Sequence, residues 1–239
     1  MSDAGVLRFE QSLSCARFLH RPNRFMLVCR LEATGEEVEV HLPDPGRLRE
    51  ILQPETVVWL RYVDQAKRRT KWSAVMAETG GVLVSLDTTY PNALIEKCLK
   101  SELLEEFAGW HFARREAQVG GSRWDFLLEN EHGDKLLLEV KSVTMSVDET
   151  AYFPDAVTAR GTKHVEELTK WQKTGEYQTA VLFVIQREDP KELKPAVQID
   201  PAFSRALTEA AEGGVKIYAR TCRLSPAQIE LNTRVPVVV

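Results

Sequence analysis

Three charged residues in one stretch have the types and the spacing that suit phosphodiester chemistry. The segment 121–145 contains two apolar runs of strand length separated by the polar sequence ENEHGDK, a pattern that predicts a β-hairpin. Asp125 then lies in the first strand, and Glu139 and Lys141 lie in the second. Because alternate residues of a strand share a face, we expect the Glu139 carboxylate and the Lys141 ammonium side by side, with Val140 facing the opposite side.

This arrangement predicts a divalent metal site. Two carboxylates that lie close together repel each other, and a divalent cation relieves the repulsion. We therefore expect Asp125 and Glu139 to bind Mg²⁺ or Mn²⁺, with the Val140 carbonyl as a further ligand and Lys141 as the catalytic cation. The alternative is an ordinary ion pair on a solvated strand face, which is the more common origin of Glu-x-Lys spacing taken alone.

Other titratable residues lie where they could complete such a site. Glu96 falls in a predicted helix before the hairpin, and Glu116 falls in the strand that leads into it. Lys163 and His164 lie on a later predicted helix. We include these four as additional catalytic candidates, although exposed glutamates are common on helices and strands and an isolated histidine is usually structural or solvated.

The length, composition and charge of the chain limit the class of protein. Its 239 residues are 44% hydrophobic, enough for one large domain or two small ones. The net charge of −4 excludes a generic polycationic coat for nucleic acid, but a local basic track with a metal remains compatible with a nucleic-acid enzyme. The four cysteines lie far apart, which indicates reduced thiols. Since no apolar leader or membrane-length run occurs, we expect a cytoplasmic protein without a membrane partner; the oligomeric state is not indicated.

Residues 1–84 have the pattern of a small OB-like β-barrel. The apolar runs VLRFE, FMLVCRLE, VEVHL, TVVWLRYV, SAVMAE and GVLVSL are closely spaced, and turn-rich pieces such as HRPN, ATGE and PDPG lie between them. Barrels of this type often bind oligonucleotides. A barrel that serves only as a packing partner would have the same pattern.

Residues 85–239 have the pattern of an α/β domain with a mixed sheet. NALIEKCLKSELLEEF predicts a helix with Asn92 as N-cap and Gly109 as terminator. The strand HFARREAQV, the central hairpin and a helix from about Ala159 follow. YQTAVLFVIQ is apolar throughout, as in a strand buried on both faces. An Asp-capped helix, DPAFSRALTEAAEGG, and the strand VKIYARTCRL complete the domain.

Clusters of basic residues predict where nucleic acid would bind. One cluster follows the tight turn PDPG, one lies in RYVDQAKRRTKW between aromatic residues, and one precedes the central hairpin. A solvated turn or hairpin tip would have the same composition. The predicted contacts are Arg47, Arg49, Lys67, Arg68, Arg69, Lys71, Arg114 and Arg115.

Several motifs resemble known families. The α-β-β-β-α-β order with charged residues on the second and third strands resembles the PD-(D/E)xK nuclease fold. More specifically, HLPDPGRL, SRWDFLL, EVKSVT and above all YFPDAVTARGTKHVEEL resemble the sugar fermentation stimulation protein (SfsA) family. The resemblance implies an N-terminal OB-like domain, a C-terminal nuclease-like domain and a DNA-binding or nuclease function. The family's early turn is often Pro-Asn-Thr-Gly, whereas this chain has Pro-Asp-Pro-Gly at 43–46.

Together these observations predict a metal-dependent nuclease that hydrolyses phosphodiesters in DNA or RNA. The alternative is a non-catalytic DNA-binding regulator of sugar-metabolism genes on a nuclease-like scaffold. Intact Asp125, Glu139 and Lys141 favour the enzyme, because a scaffold has no evident use for a repulsive pair of acids.

Overall fold

A computed structural model describes residues 5–66 and 68–239 of the chain. As the sequence predicts, a β-barrel is followed by a larger α/β part with a mixed sheet. The strands up to residue 85 are β1 (Val6–Arg8), which joins the α/β part, and the barrel strands β2 (Ser14–Asn23), β3 (Met26–Leu31), β4 (Glu37–His41), β5 (Val57–Tyr62), β6 (Trp72–Thr79) and β7 (Val82–Ser85).

The barrel is closed by a pairing between strands that are distant in sheet order. Strands β2 to β7 follow the order β4-β3-β2-β5-β6-β7, and β4 also pairs in parallel with β6, where Val40 lies opposite Trp72. The interior is apolar because alternate residues point inward, as Leu27, Cys29 and Leu31 do in β3. This alternation and closure confirm the OB-like prediction.

Two details of the N-terminal prediction are wrong. The run VLRFE was assigned to the barrel, but β1 pairs antiparallel with the last strand of the α/β part, so that Val6 lies opposite Glu230. The piece HRPN was assigned to a turn, but His20 to Asn23 continue β2, and the chain turns at Arg24 and Phe25. Asn23 still supports that turn, since its side-chain oxygen accepts a 2.9 Å hydrogen bond from the Phe25 amide.

The α/β part is built on one long sheet. Its order is β1-β16-β15-β13-β10-β9-β8, with β10, β13 and β15 parallel and the outer pairs antiparallel. A small sheet β11-β12-β14 lies beside it. The elements are α1 (Tyr90–Lys100), β8 (Trp110–Val119), β9 (Ser122–Asn130), β10 (Lys135–Val143), β11 (Ser146–Val147), β12 (Thr150–Phe153), α2 (Ala159–Thr174), β13 (Gln178–Ile185), β14 (Glu192–Pro195), α3 (Pro201–Glu212), β15 (Lys216–Ser225) and β16 (Gln228–Val235).

Each face of the long sheet carries its own apolar core. Leu94 and Ile95 of α1 pack on one face, together with Val75 and Met76 from the barrel. The other face is covered by α2 and α3, which contribute residues such as Phe203. β13 is buried along nearly its whole length, as its apolar sequence predicts, because it lies in the middle of the sheet between both layers.

The helix ends follow from local chemistry, with one prediction wrong. Thr158 caps α2 by accepting a 3.1 Å hydrogen bond from the Gly161 amide, and Asp200 caps α3 through the Phe203 amide at 3.0 Å. Asn92 does not cap α1. Pro91 lies in the first turn instead, where its missing N–H costs nothing, and this frees the Asn92 side chain for another contact.

The first helix is also shorter than predicted. α1 ends at Lys100, and a 3₁₀ turn at Glu105–Phe107 follows before Gly109. No helix in the described part of the chain combines the length and the apolar character that a membrane span needs.

Candidate active site

The predicted acids lie where two strands separate. The antiparallel pairing of β9 and β10 runs from Lys135 opposite Glu129 to Leu138 opposite Phe126 and continues no further. Asp125 and Glu139 are the next residues on their strands. In place of a further ladder bond, Asp125 Oδ2 accepts a 2.8 Å hydrogen bond from the Val140 amide. The first acid is thus tied directly to the backbone of the Glu-x-Lys segment.

The second oxygen of Asp125 accepts a hydrogen bond from Asn92, a residue that we predicted as a helix cap. Asn92 Nδ2 of α1 donates a 2.8 Å hydrogen bond to Asp125 Oδ1. Burial, and then the negative charge of Glu139, raise the pKa of Asp125 to about 6. Asp125 is therefore an oriented carboxyl group that exchanges its proton near neutral pH.

The pKa of Glu139 is shifted in the opposite direction, below its ordinary value. Its side chain is buried, and Oε1 accepts hydrogen bonds from Lys141 Nζ at 2.6 Å and from His164 Nδ1 at 2.7 Å. Burial acts to raise the pKa of Glu139, but the His164 hydrogen bond and the Lys141 charge outweigh it and lower the pKa. The side-by-side placement of Glu139 and Lys141 is as the strand periodicity predicts.

One oxygen atom of this site has no partner among the residues that the structure describes. Glu139 Oε2 is buried and accepts no hydrogen bond from residues 5–66 or 68–239, although a buried carboxylate oxygen normally accepts one. The atom keeps lone pairs available next to a second carboxyl group. An ordinary ion pair on a strand face does not explain this buried oxygen.

His164 and Arg160 form an outer layer on α2. Arg160 Nε donates to His164 Nε2 at 3.5 Å, and because arginine can only donate, Nδ1 is the ring nitrogen that donates to Glu139. The Trp124 ring lies 5.4 Å from the His164 ring and closes the apolar side. The sequence offered one signal for Arg160, its position one helical turn before His164.

The donor set fits a hard divalent cation. Mg²⁺ takes one or two protein carboxylates and fills its remaining positions with water and phosphate oxygens. Asp125 and Glu139 supply two carboxylates, and the unpartnered Oε2 is an available ligand atom. The described residues contain no group of three or more His, Cys, Asp or Glu that could hold a metal, so the remaining ligands must come from elsewhere. The Val140 carbonyl stays a prediction.

The other catalytic candidates have partners of their own. Glu96 accepts hydrogen bonds from Lys100 at 2.6 Å and Arg115 at 3.0 Å, and these contacts, the Lys100 bond first, lower its pKa. Glu96 lies one helical turn after Asn92, on the same side of α1.

Two further candidates lie in exposed ion pairs. The Glu116 carboxylate is 3.7 Å from Arg123 on the neighbouring strand, and Lys163 Nζ is 3.6 Å from Glu167 on its own helix. Neither contact joins the Asp125 and Glu139 cluster, whereas His164 does.

Some of the residues predicted to contact nucleic acid already contact other protein side chains, and others are exposed. Arg68 donates to Ser73 Oγ at 2.8 Å, and Arg69 lies 3.9 Å from Glu39. Lys71 is exposed, and Lys67 lies outside the described residues. Of the remaining contacts, Arg115 is engaged by Glu96, while three are exposed on the turn and on β8: Arg47, Arg49 and Arg114.

The turn PDPG forms the junction between the two parts of the chain. Asp44 Oδ1 accepts a 2.7 Å hydrogen bond from the Gly46 amide, and Asp155 Oδ2 accepts a 3.0 Å bond from the Arg47 amide. A Cβ on Gly46 would collide with both carboxylates, so only glycine permits this approach. The motif beginning YFPDA thus holds the barrel against the α/β part.

This architecture defines a class of protein, an OB domain followed by a restriction-endonuclease-like domain. The family model "SfsA N-terminal OB domain" matches residues 19–86, and the model "Sugar fermentation stimulation protein RE domain" matches residues 89–228. The chain belongs to the sugar fermentation stimulation protein (SfsA) family.

Full-length relatives agree with this assignment. The chain is 47% identical to the sugar fermentation stimulation protein homolog of Shouchella clausii, covering 95% of this chain and 98% of that one. It is 42% identical to the Moorella thermoacetica homolog, with 95% and 97% covered. The structure of Pyrococcus furiosus SfsA in complex with Ca²⁺ matches with a TM-score of 0.87 and 28% identity over 98% of both chains.

Proposed function

We propose that this protein is a divalent-metal-dependent nuclease that hydrolyses phosphodiester bonds in nucleic acid. The observation that carries the proposal is the buried, unpartnered Glu139 Oε2 beside a second carboxyl group, at the point where β9 and β10 separate. A divalent cation would satisfy that oxygen and offset the charge of Glu139, which adds to burial in raising the pKa of Asp125.

The relative from Pyrococcus furiosus supports the binding of a hard cation by this fold. Its structure holds Ca²⁺, and it shares the fold over nearly the whole chain. Ca²⁺ and Mg²⁺ both prefer oxygen ligands, but Mg²⁺ keeps more of its water and is the usual partner of phosphate groups. We therefore propose Mg²⁺ or Mn²⁺ for this chain, bound by Asp125 and Glu139.

Each side chain has a defined task in the proposed reaction. Asn92 and the Val140 amide orient the Asp125 carboxylate, and His164 orients Glu139. A bound Mg²⁺ or Mn²⁺ supplies Lewis acidity, which polarises a phosphate and lowers the pKa of water.

Lys141 is the group that acts on the substrate itself. Its ammonium can leave Glu139 Oε1 for a non-bridging phosphate oxygen, where it offsets the charge that builds up in the transition state. The proposed substrate is DNA or RNA, because the exposed basic residues extend well beyond the space of one phosphate.

A cleavage assay with a matched control tests the proposal. Labelled single- and double-stranded DNA and RNA are incubated with Mg²⁺, Mn²⁺ or EDTA. Glu139→Gln is compared with Glu131→Gln, which makes the same substitution at an exposed position in the turn of the same hairpin. We expect metal-dependent cleavage that falls by about 10²-fold or more in Glu139→Gln and is unchanged in Glu131→Gln.

Two results would contradict it. Cleavage by Glu139→Gln at the parent rate would remove Glu139 from the chemistry. Binding of nucleic acid by the parent without cleavage under any metal condition would favour the alternative, a DNA-binding regulator on a nuclease-like scaffold.

A further inference from the structure

Four arginines converge on a pocket of about 580 Å³ at the edge of the barrel. This arginine pocket is lined by Arg21, Arg24, Arg47 and Arg49, and its other lining residues are apolar or uncharged. Among the described residues, no carboxylate contributes to its wall. Arg47 and Arg49 are predicted from the sequence as exposed residues after a turn, but nothing in the sequence groups them with Arg21 and Arg24.

The fold brings the four together through Arg21. Arg21 lies near the end of β2, and its Nη1 and Nη2 donate to the carbonyl oxygens of Arg47 at 2.7 Å and Arg24 at 2.8 Å. It therefore fixes the β2–β3 turn against the segment that follows PDPG. Leu48 is fully buried between the exposed Arg47 and Arg49, so the chain turns both arginine side chains outward around an apolar anchor.

The charge of this pocket is only partly balanced by the protein. Arg21 faces the negative charges of Asp44 and Asp155, and its buried Nε has no hydrogen-bond partner. For the other three arginines, the described residues provide no ion pair within 4.0 Å; the Arg24 guanidinium instead lies 4.7 Å from the centre of the Phe25 ring. Guanidinium groups that converge in this way favour an anion between them.

The arginine pocket adjoins a cleft between the barrel and the α/β part. It shares Arg24, Pro45 and Gly46 with this cleft, whose volume is about 330 Å³. The cleft is also lined by Ser142, which follows the Glu-Val-Lys segment on β10, and by the acidic residues Asp44 and Asp155. The cleft therefore connects the arginines with the end of β10.

We propose that the arginine pocket binds backbone phosphates of a nucleic-acid strand whose scissile phosphate lies at Asp125 and Glu139. The inference rests on the proposed function and adds the route of the substrate. Guanidinium groups bind phosphates without reading bases, so the contact is independent of sequence. We place the strand on the pocket because its arginines converge, whereas in the basic segment Arg68 already donates to Ser73 and Arg69 lies 3.9 Å from Glu39.

The test removes two pocket charges that form no ion pair within 4.0 Å among the described residues. Arg24 and Arg49 are exposed, whereas Arg21 holds two backbone carbonyls and is left intact. The variant Arg24→Gln/Arg49→Gln is compared with Arg205→Gln/Lys173→Gln, which removes two exposed charges from the layer formed by α2 and α3. Thermal melting of both variants checks that the fold is retained.

Binding is measured apart from cleavage, by fluorescence anisotropy of labelled single- and double-stranded oligonucleotides with Ca²⁺ over a range of salt concentrations. Each lost phosphate contact lowers the slope of log affinity against log salt by about 0.7 on single strands and about 0.9 on duplex. We expect the pocket variant to bind more weakly at low salt, with a slope lower by about 1.4 to 1.8. The control variant keeps the parent slope.

The outcomes separate this inference from the proposed function. A pocket variant that keeps the parent affinity and slope overturns the inference, even if the parent cleaves nucleic acid. Equal losses of affinity in the pocket and control variants also overturn the inference, because they would show non-specific electrostatic attraction. A parent protein that binds no oligonucleotide overturns it as well. Loss of binding in the pocket variant alone supports the pocket, even if the parent proves unable to cleave.

Discussion

Asp125→Asn, studied without divalent ions, tests whether its buried position beside Glu139 raises the pKa of Asp125 in the folded protein. Burial and the charge of Glu139 raise the pKa of Asp125 from 3.8 to about 6. The folded protein therefore holds this proton more tightly than the unfolded chain does. Stability contributed by Asp125 rises as the pH falls from above 6 toward 4, and it is lost as the pH rises through 6. Asparagine carries no charge at any pH, so the variant lacks this dependence.

The expected magnitude follows from the size of the pKa change. A rise from 3.8 to about 6 corresponds to at most about 3 kcal/mol of unfolding free energy. About half of that lies between pH 8 and pH 5, where the folded state takes up the proton and the unfolded chain stays ionised. Asp125 keeps some solvent contact, which screens its charge, so we expect a change of about 1 kcal/mol over this interval.

The assay is urea unfolding of the parent and Asp125→Asn in EDTA, followed by tryptophan fluorescence at several pH values between 8 and 5. Asparagine also loses an acceptor for the Asn92 or Val140 hydrogen bond, but that cost is the same at each pH and cancels in the comparison. Relative to the parent, the variant should gain about 1 kcal/mol from pH 5 to pH 8. A difference that does not vary with pH would refute the raised pKa of Asp125.

Two further predictions concern the junction and the outer layer of the site. Gly46→Ala should lower the unfolding free energy by about 1 to 3 kcal/mol, because the new methyl group collides with Asp155. Gly121→Ala, where a new Cβ meets nothing within 4 Å, should change it by less than about 0.5 kcal/mol; equal effects in thermal melting would contradict the close approach. Asn92→Ala should weaken Mn²⁺ binding by about 10- to 100-fold in calorimetry, since it orients a metal ligand. An unchanged Mn²⁺ affinity would show that Asn92 has no positioning role.

The predictable part of the site depends on the geometry of single elements. Glu139 and Lys141 share a face because side chains alternate along any strand, and a hairpin between two apolar runs needs only local signals. Asn92 and Arg160 could not be assigned this way, since their roles arise only when α1 and α2 dock on the sheet. Asn92 had a plausible local role as a helix cap, and that role concealed its contact with Asp125.

The fold shows the same division between local and distant contacts. The alternating barrel strands and the buried β13 are evident from composition and periodicity. The pairing of β1 with β16 joins opposite ends of the chain, and a three-residue strand carries too little pattern to indicate its partner. Likewise, the arginine pocket depends on Arg21 bridging two segments that are distant in sequence.

Anomalous diffraction from crystals soaked in Mn²⁺ locates the bound ion without reference to activity. We expect a peak within bonding distance of a carboxylate oxygen of Asp125 and of Glu139 Oε2, the atom that has no other partner among the described residues. A peak at the second acid pair, Asp44 and Asp155, with none at Glu139, would contradict it. So would the absence of any peak at Glu139 in crystals where Mn²⁺ is bound elsewhere.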